Sequence, residues 1–120
     1  MQTFIVLGSI LMAIAVAVGA FGAHMLKSKL EPDKLKVYEV GVQYHLIHAL
    51  GLVGVGLLVG QYPEEGLLEL AGWFMFAGIV LFSGSLYVLS MKRVRLLGPI
   101  TPLGGLSFIA GWVLVVLGVL

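Results

Sequence analysis

Four stretches nearly free of charge divide this 120-residue chain, at about 3–26, 40–60, 67–91 and 100–120. A bilayer core about 30 Å thick takes about 20 apolar residues of helix to cross. Inside lipid a backbone must satisfy its own hydrogen bonds, so segments of this length are read as helices rather than strands. The chain is therefore expected to be all-α, a four-helix transmembrane bundle, with residues 1–120 forming a single integral membrane domain. Composition agrees: 60% of residues are hydrophobic and 11% charged, against about 25% charged in an ordinary soluble domain.

The first stretch is expected to be a retained span rather than a cleaved leader. No basic residue precedes Lys27, and the apolar run exceeds the roughly 7–15 residues of a signal core. The chain has no cysteine, which excludes disulfides, thiolate metal sites and thiol catalysis. Between the first two stretches, Pro32 and Asp33 mark a helix start, with Asp33 as N-cap or first-turn residue. That start predicts either a short interfacial helix or an early beginning of the second span. Pro63 and Gly66 break the next connection, and Pro99 and Pro102 suit the first turn of the last helix.

Orientation follows from where the charges fall. The seven basic residues occupy two connections: Lys27, Lys29, Lys34 and Lys36 in the first, Lys92, Arg93 and Arg95 in the third. The opposite side carries Glu64, Glu65 and Glu69 and nothing basic. The positive-inside rule places the basic connections in the cytoplasm and both termini on the outer side. The same seven side chains are candidate contacts for anionic lipid headgroups.

Small residues suggest how the helices pack. In the first span Ala13, Ala17, Ala20 and His24 fall on one line and Gly8, Ala15, Gly19 and Gly22 on nearly the opposite one. Two such faces predict a helix between two neighbours. Ala71, Gly78 and Ser85 in the third span recur every seven residues, as do Gly104, Gly111 and Gly118 in the fourth. Such faces suit contacts within one chain or between copies in a homo-oligomer.

Polar residues inside the apolar stretches are few, and they concentrate in YEVGVQYHLIHALG, residues 38–51. The candidate cluster is Glu39, Gln43, Tyr44, His45 and His48, with His24 closing the first span. At 1.5 Å per residue, His24 lies about 4–5 Å from the basic connection and His48 about 13–14 Å into the second span. The face shared with Ala13, Ala17 and Ala20 predicts that His24 points into the bundle, toward Glu39, Gln43 and one of His45 or His48. On a helical wheel Glu39 and Gln43 share one face and Tyr44 and His48 another, so the five cannot all converge.

Ionisable groups at this depth are costly and raise the question of function. Four readings stand: hydrogen bonds that hold helices together, a proton or small-solute path through His and Glu, a metal or haem site at His45 and His48, or an enzyme. The last lacks a catalytic motif: no HExxH pair occurs, and Ser83, Ser85 and Ser90 have no histidine near them in sequence. The outer half of the second span, residues 52–60, has no polar side chain, which counts against a path within one subunit. No cofactor is expected as the leading reading, and nothing suggests nucleic-acid binding.

The run GAFGAH at residues 19–24, with QYHLIHAL at 43–50 and GPITPLGGLSFIAGW at 98–112, resembles a family of uncharacterised four-span bacterial membrane proteins with a small relative in animals. The resemblance implies a multi-pass plasma-membrane protein of a bacterium and carries no established activity. The function expected on these grounds is a non-enzymatic membrane scaffold or binding component. An oligomeric transporter or channel using His24, Glu39, His45 and His48 is the alternative, and haem or metal binding the second alternative.

Overall fold

The computed structural model describes residues 2–92 and 94–120, with the side chains of Gln2 and Ala23 left aside. Arg93 lies outside the described residues, and with it one of the expected headgroup contacts. Four helices are long and apolar enough to cross a membrane: Thr3–Leu26, Pro32–Gln61, Gly66–Met91 and Leu97–Val119. No strand occurs among the described residues.

The second helix does not wait for the apolar stretch to begin. Glu31 is its extended N-cap, Pro32 stands at the first position where its missing N–H costs nothing, and Asp33 occupies the first turn. Its 30 residues make a helix about 45 Å long, longer than the hydrocarbon thickness, so its first turns carry Lys34 and Lys36 outside the apolar layer. No separate interfacial helix intervenes. The third helix is capped by Glu65, whose carboxylate accepts the Leu67 N–H at 3.2 Å.

The first helix packs along the second, the second along the third, and the third along the fourth. Glycine sets how closely they approach. A Cβ added at Gly8 would stand 2.8 Å from Val53 and 2.9 Å from the Ala49 carbonyl, and one at Gly19 would stand 2.9 Å from Val42. Between the third and fourth helices, a Cβ at Gly111 would lie 3.0 Å from Met75 and 3.3 Å from the Ala71 carbonyl, and one at Gly118 would lie 2.8 Å from Leu68. The seven-residue repeats of the third and fourth spans thus meet one another: Ala71, Gly78, Ser85, Gly104, Gly111 and Gly118 are all buried. Phe4, Leu52, Val55 and Met75 form one core cluster, and Ala49, Ile79 and Phe108 another.

The first helix differs from expectation. Its Gly8, Ala15, Gly19 and Gly22 side meets the second helix, while Ala13, Ala17, Ala20 and His24 are exposed. It has one full-length neighbour instead of two, and Phe4 reaches the third helix to stack edge-on against Trp73 at 5.1 Å. Spacing alone identifies two small-residue faces but not how many helices are available to cover them.

Two helices contain a widened turn, Val18–Gly22 in the first and Ile79–Ser83 in the third. A π-type turn shifts the hydrogen-bond ladder and loosens it locally. In the first helix a side chain takes up the slack: the Tyr38 hydroxyl donates to the Val18 carbonyl at 2.5 Å. Gly22 makes this possible, because a Cβ there would coincide with the Tyr38 hydroxyl. The glycines of GAFGAH therefore have a mechanical reason.

Candidate functional site

His48 is the centre of the most structured polar arrangement. Its Nδ1 lies 2.8 Å from the Tyr44 carbonyl; a carbonyl only accepts, so Nδ1 carries the proton. The remaining nitrogen, Nε2, is then an acceptor, and the Trp112 indole N–H donates to it at 3.0 Å. Both ring nitrogens of a neutral imidazole are thereby used. The ring lies flat on Phe108, with centroids 3.5 Å apart and planes 9° from parallel, and Tyr44 is aligned to within 8°. Gly78 creates the space for Phe108, since a Cβ there would overlap its ring.

The Tyr44, His48 and Phe108 rings form one wall of a cleft of about 780 Å³, open sideways between the second and fourth helices. Gln43, Phe82, Gly105 and Trp112 also line it, with aliphatic side chains of the second and fourth helices. Tyr44 and Trp112 are 39% and 42% exposed, so both present ring surface to whatever enters. The volume falls within the roughly 300–1,000 Å³ of small-molecule sites.

His45 points the other way. It is 3% exposed, and its Nδ1 and the Tyr87 hydroxyl of the third helix are hydrogen-bonded at 2.7 Å. Its Nε2 is buried without a hydrogen-bond partner among the described residues, and the Leu11 backbone of the first helix lies near the ring. A second polar contact joins the third and fourth helices, where Ser85 Oγ and Thr101 Oγ1 lie 2.6 Å apart. Ser107 Oγ donates to the Phe74 carbonyl at 2.6 Å in the same interface.

The structure thus divides the expected cluster. Gln43, Tyr44 and His48 line one cleft; His45 serves the interface with Tyr87; Glu39 and His24 are exposed. The pocket expected from His24, Glu39, Gln43 and a second-span histidine is not assembled, because the first helix turns its glycine side, not its histidine side, to the bundle. Among the described residues no three His, Asp or Glu side chains come together in a way that could hold a metal ion. Sequence reasoning missed Tyr87, Phe108 and the role of Trp112. The available signal was that a Tyr or Trp inside an apolar span needs a partner for its polar end.

Residues 18–105, most of the chain, match the family described as proteins of unknown function DUF423. The chain is 53% identical over 116 residues to the UPF0382 membrane protein YwdK of Bacillus subtilis, covering 97% of this chain and 94% of that one. It is 44% identical over 117 residues to a UPF0382 membrane protein of Staphylococcus haemolyticus, covering 98% and 94%, and 45% identical over 120 residues to one of Staphylococcus epidermidis, covering 100% and 97%. No solved structure matches. With relatives of this identity spanning nearly its whole length, and four helices fit to cross a bilayer, the chain belongs to the DUF423 family and is a multi-pass protein of the bacterial cell membrane.

Proposed function

We propose that this membrane protein is a non-enzymatic binding component whose working surface is the cleft beside His48. The observation that carries this reading is the lateral cleft in which the exposed rings of Tyr44 and Trp112 stand beside the buried, stacked pair of His48 and Phe108. Such a cleft suits a lipid-soluble molecule with a planar or branched apolar body, which enters from the bilayer without crossing water. His48 serves as a fixed structural element here. With Nδ1 donating and Nε2 accepting, it offers no free lone pair to a metal or haem iron while those bonds hold.

The test is intact-mass measurement of the protein released from native membranes, read for retained non-protein mass. A bound lipophilic compound is expected on the unaltered protein and its loss on Gly105→Leu, which fills the cleft. A Cβ at Gly105 meets nothing nearer than Phe82 at 3.8 Å, so the backbone there has room. Bare unaltered protein, or retention of the compound by Gly105→Leu, would refute the reading.

Transport is the second reading, and the unpartnered Nε2 of His45 favours it. A histidine left short of a partner inside lipid is a suitable proton carrier. Proton flux into vesicles that disappears in His45→Gln, with the helices still assembled, would support it over the cleft.

A further inference from the structure

The two basic connections, about 60 residues apart in sequence, meet at one end of the bundle around a single depression of about 440 Å³. Lys29 and Lys34 enter from the connection before the second helix and its first turn, and Lys92 from the end of the third helix. Lys29, Lys34 and Lys92 are all exposed. Leu30, Leu89 and Met91 supply aliphatic lining alongside Ser90, and Met91 is 57% exposed at the last turn of an apolar span. One carboxylate, Glu31, is also in the lining, so the described residues there carry three positive groups and one negative.

We propose that this depression is a binding site for an anionic phospholipid, with the phosphate among Lys29, Lys34 and Lys92 and the start of the acyl chains on Leu30, Leu89 and Met91. Three amines at the level where an apolar helix ends meet the headgroup layer, and Leu89 and Met91, in the last turn of that helix, offer aliphatic surface on its hydrocarbon side. A soluble phosphate would use the amines and gain nothing from that surface, whereas a lipid uses both. A zwitterionic lipid would bring its own cation toward the lysines and lose the advantage. Among the described residues, the other cations Lys27, Lys36 and Arg95 do not line the depression and supply only the general attraction of a basic surface. The site is separate from the cleft beside His48 and does not depend on it.

The full chain, purified in an uncharged detergent, is titrated with phosphatidylglycerol and with phosphatidylcholine of the same acyl chains, and bound lipid is counted by native mass spectrometry. Phosphatidylglycerol is expected to be retained preferentially. Replacing Lys29, Lys34 and Lys92 together by Gln should weaken it about a hundredfold, at about fivefold for each basic residue near an anionic surface. Replacing Lys27, Lys36 and Arg95 together by Gln should weaken it by no more than about fivefold, the long-range share of the attraction. Leu30→Gln should weaken lipid binding and leave binding of inorganic phosphate unchanged. Equal losses in the two triple variants, or no preference over phosphatidylcholine, would overturn the proposal. Inorganic phosphate that displaces the lipid at equal concentration would make this a free-phosphate site and overturn it too. Thermal unfolding of each variant identifies any that fail to fold, and Lys92→Gln alone, altered beyond the last turn of the third helix, then carries the comparison.

Discussion

Replacing Gly104 by Ala is the most direct test of how this bundle is held together. A Cβ at that position would stand 2.7 Å from both Cα and Cβ of Phe82 and closer still to the Phe82 backbone nitrogen. Carbon contacts are comfortable at about 3.5–4.0 Å, and a backbone atom cannot rotate away as a side chain can. The third and fourth helices must therefore separate locally by about 1 Å. Overpacking of this kind costs about 1–3 kcal/mol. The separation also stretches two short bonds that flank Gly104 by one turn, Ser85 to Thr101 and Ser107 to the Phe74 carbonyl, each 2.6 Å. Bonds between membrane helices contribute about 0.6 kcal/mol each, so the total loss is about 2–4 kcal/mol. The assay is the free energy of unfolding in mixed micelles as a denaturing detergent is added. Gly54→Ala is the control, because a Cβ at Gly54 meets nothing within 4 Å. If Gly104→Ala unfolds within about 0.5 kcal/mol of Gly54→Ala, the close backbone approach does not govern this interface and the reasoning fails.

Three further expectations use the same protein. Gly22→Ala should displace the Tyr38 hydroxyl from the Val18 carbonyl, so its cost and that of Tyr38→Phe should overlap; a double-mutant cycle that finds them additive refutes the coupling. Trp112→Phe removes the donor to His48 Nε2 and should cost about 0.6–1.7 kcal/mol. Nitrogen-15 NMR of labelled histidine should show His48 in the Nδ1–H form in the unaltered protein, and a dominant Nε2–H form would contradict the bond to Tyr44. Because the chain lacks cysteine, Ser28→Cys and Glu64→Cys give clean single labels. A membrane-impermeant thiol reagent applied to whole cells should reach Glu64→Cys and not Ser28→Cys, and the opposite pattern would reverse the orientation expected from the basic connections.

The number and type of spanning elements were legible in the sequence, because lipid allows a stretch of about 20 apolar residues few ways to satisfy its backbone. The repeats Ala71, Gly78, Ser85 and Gly104, Gly111, Gly118 were legible as packing faces for the same kind of reason: close approach of two helices in lipid selects small side chains at helical spacing. The Tyr44 and His48 pairing also followed from the four-residue spacing, which puts the two on one face.

Partner choice was decided only in three dimensions. Ala13, Ala17 and Ala20 look as suited to an interface as Gly8, Ala15 and Gly19, yet only the glycine side is covered, and His24 stays outside with the alanines. His45 and His48, three residues apart, read as one potential ligand pair; the fold sends one to Tyr87 and the other to Trp112. Local sequence determines which side chains share a face of a helix, since that depends on 3.6 residues per turn alone. Which other helix meets that face depends on contacts between residues 42 or 64 positions apart, and no periodicity within a single span contains that information.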